Sequence, residues 1–256
     1  MPKHRPHMFQ GHAKVLDAPV TAAGTKIGGP PIGLARPWPT CRRCGASMRF
    51  ALQLGLHRPL RLSSKYAAAF LFLCPHYEDH EAAPDGAPCK TWDPYAGANA
   101  LLLQTSAGDG VTPAPTGVEL WPERAVDFVQ FEGDENKGAH GGDLINPKFM
   151  DLLGRAKAEA PDDAEEIVVT VPDHWGAPQT IQMGGDPTWW QSPEPPTCPK
   201  CRGRMKLLAQ VDAEVAESSF DKERYYLPFG SGGVGYMFAC ETECDVNGAA
   251  FLWQTS

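Results

Sequence analysis

The eight cysteines are the residues of this 256-residue chain whose types and spacing could do chemistry. They fall into two sets of four. Cys41-x-x-Cys44 is followed by Cys74 and Cys89, and Cys198-x-x-Cys201 is followed by Cys240 and Cys244. A C-x-x-C turn lets two sulfurs reach one ion at about 2.3 Å, and tetrahedral zinc takes four thiolate or imidazole ligands. Two complete sets with no cysteine left over predict two zinc ions. Arg42, Arg43, Lys200 and Arg202 flank the knuckles and would offset the charge of an ion held by four thiolates. In the first set His76 or His80 could take the place of Cys89, but Cys89 occupies the position equivalent to Cys244, which favours it.

Redox chemistry at these pairs would require an exposed thiol of low pKa, set at a helix N-terminus. Each C-x-x-C here is followed instead by a strand-like run. Four protein ligands also leave no open coordination position, so the expected ions are structural, not catalytic.

The elements that must position the cysteines are written twice. The order Lys26-Ile-Gly-Gly-Pro30, Cys41-x-x-Cys44, Met48, Gln53, Cys74, Cys89 and Gln104-Thr-Ser106 returns later. The second pass is Gln182-Met-Gly-Gly-Asp-Pro187, Cys198-x-x-Cys201, Met205, Gln210, Cys240, Cys244 and Gln254-Thr-Ser256. The step from first cysteine to glutamine is 12 residues in both. A tandem duplication is the economical explanation. FALQL (50–54) and KLLAQV (206–211) read as strands, as do the apolar runs entering Cys74 and Cys240 and the closing runs ALLLQ and AFLWQ. Residues 107–117 read as a Gly/Pro/Thr linker, 125–133 and 167–171 as strands, and 146–160 as a helix with Asn146 as N-cap and Pro147 at its first position. The expected fold is α+β and mostly antiparallel sheet: two pseudo-equivalent zinc-knuckle halves packed on each other. The expected divisions are an N-terminal extension (1–23), a first repeat (24–106), an acidic connecting segment (107–179) and a second repeat (180–256).

The net charge of −8 is distributed as +6 over residues 1–106, −12 over 107–196 and −2 over 197–256. Such asymmetry suits attraction of a basic protein. Overall acidity weighs against nucleic-acid binding through Arg42, Arg43, Arg49, Arg58, Arg61 and Lys65. No apolar run is long enough to span a membrane. The basic N-terminus has no apolar stretch behind it, so a reducing, cytoplasmic setting is expected, in which cysteines serve metals more often than disulfides.

Other candidates compete with ordinary structural roles. Gly28-Gly29 and Gly184-Gly185 lack the strand–loop–helix context of a phosphate site and read as tight turns. Trp121, Trp189 and Trp190 are candidate partner contacts, since tryptophan is enriched at binding hot spots, although most tryptophans serve the core. Gln53, Gln104, Gln210 and Gln254 recur at strand ends, where hydrogen bonds to backbone are expected. His140 and Asp143, in KGAHGGDLIN, are the residues an enzyme could use, together with His174, but no nucleophile accompanies them in a recognisable motif.

The arrangement KIGGPP…WPTCRRCGASMRFALQL…AAAFLFLC, with its echo MGGDPTWWQ…PPTCPKCRGRMKLLAQVD…GYMFACETEC…AAFLWQTS, resembles two related groups. These are the bacterial YwqG-like family and the eukaryotic programmed-cell-death-protein-two family. The resemblance covers about residues 24–106 and 180–256. It implies a non-enzymatic protein that binds another protein: a chaperone for a basic ribosomal-type client, or an immunity factor against a toxin. The chain lacks the further zinc-finger insertion of the eukaryotic pattern, so the ribosomal client transfers less readily.

Overall fold

The computed structural model describes residues 11–16, 24–56, 62–77, 86–106, 108–130, 181–187, 189–213, 227–230 and 232–255. These form strands β1 (Gly11–Leu16), β2 (Lys26–Ile27), β3 (Arg49–Gly55), β4 (Ala68–Leu73), β5 (Asn99–Gln104), β6 (Arg124–Gln130), β7 (Ile181–Met183), β8 (Met205–Asp212), β9 (Val234–Cys240) and β10 (Ala249–Gln254). They make a six-stranded sheet in the order β1-β6-β2-β3-β4-β5 and a four-stranded sheet in the order β10-β9-β8-β7. Every pairing is antiparallel. No α-helix occurs among the described residues. The expected helix at 146–160 and strand at 167–171 lie outside them.

The strand sequences explain the layering. In β4 Ala68, Phe70 and Phe72 face one side and Ala69 and Leu71 the other, as strand geometry requires. The first set packs in a cluster with Cys41, Cys74 and Cys89. The second joins a core supplied by both sheets, where Leu52, Leu54 and Leu71 meet Ile181, Leu208, Met237 and Phe251. In β9, Val234, Tyr236 and Phe238 likewise lie on the outer face and Met237 on the shared one. Both central strands are buried on both faces, so their apolar runs are continuous.

β3 and β8 each carry an irregularity in register, between Phe50 and Leu52 and between Leu207 and Ala209. The extra residue puts two successive apolar side chains, Ala51-Leu52 and Leu208-Ala209, into the shared core. The glutamines then fall opposite aromatic residues, with Gln53 paired to Phe70 and Gln210 to Tyr236.

The first sheet also draws strands from outside residues 24–106. β6 lies between β2 and β1, both antiparallel to it. The 107–117 stretch is tied down in its described part. Gly33 N–H donates to the Gly110 carbonyl (2.7 Å), Thr112 N–H donates to that of Pro31 (2.9 Å), and Val111 bridges to Ile32.

Candidate metal centres

Each C-x-x-C turn is built the same way. The Cys41 carbonyl accepts the Gly45 N–H (2.9 Å) while Cys41 N–H donates to Ala46 O (2.8 Å). In the second, the Cys198 carbonyl accepts the Arg202 N–H and Cys198 N–H donates to Gly203 O, both at 2.9 Å. The fifth residue of the turn is left-handed in both, with φ 76° at Gly45 and 60° at Arg202. Glycine adopts that conformation freely, whereas arginine is strained by about 1 kcal/mol or more. The remaining ligands enter from the sheets. Cys74 follows β4 and Cys240 ends β9, and their N–H groups donate to Ala98 O (2.8 Å) and Gly248 O (2.7 Å) at the start of the next strand. Backbone N–H groups also point at sulfur, from His76 to Cys74 and from Lys200 to Cys198, each at 3.4 Å.

The turns and strand ends bring all eight sulfurs together as two groups, Cys41/Cys44/Cys74/Cys89 and Cys198/Cys201/Cys240/Cys244. Within each, the sulfurs lie within 4.8 Å of one another. Cys41–Cys89 is 3.8 Å, and Cys44–Cys74, Cys198–Cys244 and Cys201–Cys240 are each 3.6 Å. Four sulfurs at about 2.3 Å from a tetrahedral ion must be about 3.8 Å apart. A disulfide would require about 2.05 Å, and all eight are free thiols. The first group contains Cys89 where a histidine was the alternative.

The electrostatics suit a cation. Burial raises the Cys41 thiol, but the Cys44 and Arg43 N–H groups lower it further, so it ionises more readily than a free thiol. Burial pushes Cys74 up and Cys89 up to about 12. In the second group burial also raises Cys240, but hydrogen bonds led by the Thr242 hydroxyl bring it down to about 6. One thiolate in each group is therefore favoured while neighbouring thiols resist a second negative charge. A divalent ion among the four would relieve that conflict. Both groups could hold a metal ion, and an all-sulfur tetrahedral donor set suits zinc. When bound, such an ion supplies structural closure, its sphere being filled by protein sulfur. The groups differ in exposure. Cys41, Cys74 and Cys89 are buried, whereas Cys201 and Cys244 are exposed.

A contact the sequence did not reveal ties the second group to the first half of the chain. Glu243, between Cys240 and Cys244, takes hydroxyl donors from Ser63 and Ser64 and the ammonium of Lys206, each at 2.8 Å. Its carbonyl accepts Lys65 Nζ (2.9 Å) and Tyr66 Oη (3.2 Å). Burial would raise the carboxyl, but the Lys206, Ser64 and Ser63 bonds lower it to about 2. The only local hint was a short polar loop between two cysteines. A second such pair is Lys26, fully buried, held by the Glu123 carboxylate and the Pro30 carbonyl. Its signal was a lysine beside the first Gly-Gly turn.

The remaining candidates are dispersed. Trp121 is 9% exposed, lies in the shared core and carries the Arg49 guanidinium over its ring at 4.1 Å. Trp189 packs on Tyr236 and Phe238 across the outer face of the second sheet. Trp190 is 36% exposed and its backbone N–H donates to Tyr236 Oη (2.7 Å). The Gly-Gly pairs are left-handed turns, and a Cβ on Gly28 would meet the Pro122 carbonyl oxygen at 2.0 Å, so backbone occupies that space. Gln53, Gln104 and Gln254 hydrogen-bond backbone as expected, accepting from Ile32, Ala35 and Gln191 N–H. His140, Asp143 and His174 lie outside the described residues, as do Arg58 and Arg61.

No family model matches the sequence, and no curated protein matches it. Among the described residues no helix is long and apolar enough to cross a membrane.

Proposed function

We propose that this chain is a non-enzymatic, cytoplasmic zinc protein that binds another, basic protein, as an immunity factor against a toxin or as a chaperone for a ribosomal-type client. The observation that carries this reading is the sulfur geometry. Each group offers four thiolates at tetrahedral spacing, so the ion it takes is enclosed and stabilises the fold by an amount on the order of 10 kcal/mol. The net charge of −8 supports a basic partner.

The two halves are read as tandem copies of one unit within an α+β chain, with 146–160 as its helix. Support comes from the matched turn bonds and the matched irregularities of β3 and β8, and from Gln104 and Gln254 each bonding backbone of the segment before its knuckle. The same signature residues support kinship with the YwqG-like and programmed-cell-death-protein-two families.

The test is reconstitution from purified components. Zinc-loaded chain should recover a specific basic protein from its native cell at low salt. The purified pair should then form a complex of fixed stoichiometry that salt weakens. Absence of any such complex at low salt contradicts the reading.

A further inference from the structure

A cleft of about 490 Å³ lies between residues 92–95, which follow the last ligand of the first cysteine group, and residues 194–197, which lead into the second knuckle. Trp92 is 39% and Tyr95 51% exposed, two of the four most exposed large apolar side chains among the described residues. Both line this cleft, with Pro195 and Pro196 beside them.

The walls are fixed before any ligand arrives. Tyr95 Oη donates to the Thr197 carbonyl (3.0 Å) and accepts the Thr197 N–H (2.9 Å), joining the two sides. Trp92 stands edge-on to Trp253 at 5.9 Å, and Trp253 Nε1 donates to Thr91 Oγ1 (3.1 Å). Asn99 Nδ2 donates to the carbonyls of Asp93 (3.1 Å) and Phe251 (3.2 Å). Each wall is also anchored to a cysteine group. Cys89 stands three residues before Trp92, and Cys198 directly follows Thr197. Ions in the two cysteine groups would add to these anchors.

The cleft's charge selects its occupant. Its acidic side chains are Asp93 and Glu194, and among the described residues no Lys, Arg or His lines it. Aromatic faces beside carboxylates attract a cation carried on an apolar stem, which the rings and prolines can cover. We propose that the cleft receives an arginine or lysine side chain from an extended basic segment of a protein partner. This rests on the basic-partner reading above and gives that partner a place to dock.

The test uses fluorescence anisotropy with the full, zinc-loaded chain and labelled peptides of alternating arginine and glycine, with lysine, glutamine and glutamate versions alongside. The arginine or lysine peptide should bind, and the glutamine and glutamate peptides should bind at least tenfold more weakly. Trp92→Ala and the shape-preserving pair Asp93→Asn/Glu194→Gln should each weaken the basic peptide at least tenfold, with metal content and melting temperature of the pair unchanged. Val111→Ala, at an exposed apolar side chain outside the cleft, should leave affinity unaltered. Equal binding of the glutamine peptide, or undiminished binding of the basic peptide by the Asn/Gln pair, overturns the assignment. If the cleft variants still capture a reconstituted basic partner at full affinity, the cleft is refuted while the basic-partner reading stands.

Discussion

The Ser63 hydroxyl donates to the Glu243 carboxylate at 2.8 Å, a bond between residues 180 positions apart that joins the first sheet's approach to β4 with the loop closing the second cysteine group. Ser64 and Lys206 complete the set around the same carboxylate. The network ties the loop between Cys240 and Cys244 to the segment that enters β4 in the first half.

Glu243→Gln tests that dependence. It removes the charge that Lys206 and both serines complement, and hydrogen bonds to charged groups are worth about 1.5–3 kcal/mol each when lost. A net loss of about 2–3 kcal/mol is expected in urea unfolding of the zinc-loaded protein. The sign of its pH dependence follows from the lowered carboxyl. The carboxylate's advantage is fully present above its ordinary value of 4.5 and fades as pH falls toward about 2. That window lies below the pH at which protonated thiols release zinc, so between about pH 8 and 6 the wild-type and Gln proteins should differ by a constant amount. A difference that fades within that range contradicts the role given to the charge.

Arg202 and Gly45 occupy the same position of the two knuckles, and only Arg202 carries backbone strain there. Arg202→Gly should stabilise the protein by about 1 kcal/mol. Gly45→Ala should destabilise by about 1 kcal/mol through the backbone alone, because nothing lies within 4 Å of the added Cβ. Urea midpoints measure both. A destabilising Arg202→Gly would mean that the arginine side chain contributes more than its backbone loses.

Much of this was legible in the sequence because cysteine ligation and strand alternation are local or strictly spaced. The C-x-x-C pairs, the strand entering Cys74 and the strand ending on Cys240 each announce themselves in under ten residues. The sulfurs then confirm which strands must lie close. What stayed hidden depends on contacts between distant segments. The joining of β1 and β6 to the first sheet, the Glu243 network and the Tyr95–Thr197 bond leave no local pattern. Trp121 shows the converse: its residue type suits an interface, but its place is in the shared core.

Lys26 is buried without exposure, and its ammonium bonds the Pro30 carbonyl and the Glu123 carboxylate. Lys26→Ala strands both acceptors and leaves a void, with an expected loss of about 3–5 kcal/mol. Lys26→Met fills the space and should cost less. The order of the two urea midpoints is the measurement. Equal losses would show that volume plays no part.

The two cysteine groups should release metal unequally. Cys201 and Cys244 are exposed while three of the first group's sulfurs are buried. A competing chelator with a coloured zinc complex should strip one ion per chain quickly and the other slowly. Cys201→Ser should abolish the fast phase alone. Two phases that are both changed by Cys201→Ser, or a single phase in the wild type, contradict the assignment.

The central claim is that each foursome of sulfurs encloses one ion. Elemental analysis of the purified chain, with X-ray absorption at the metal edge, tests it most directly. The account predicts two zinc ions per chain, each with four sulfur neighbours at about 2.3 Å. Fewer than two ions in fully reduced protein, a nitrogen or oxygen in either coordination shell, or disulfides among these eight cysteines would contradict it.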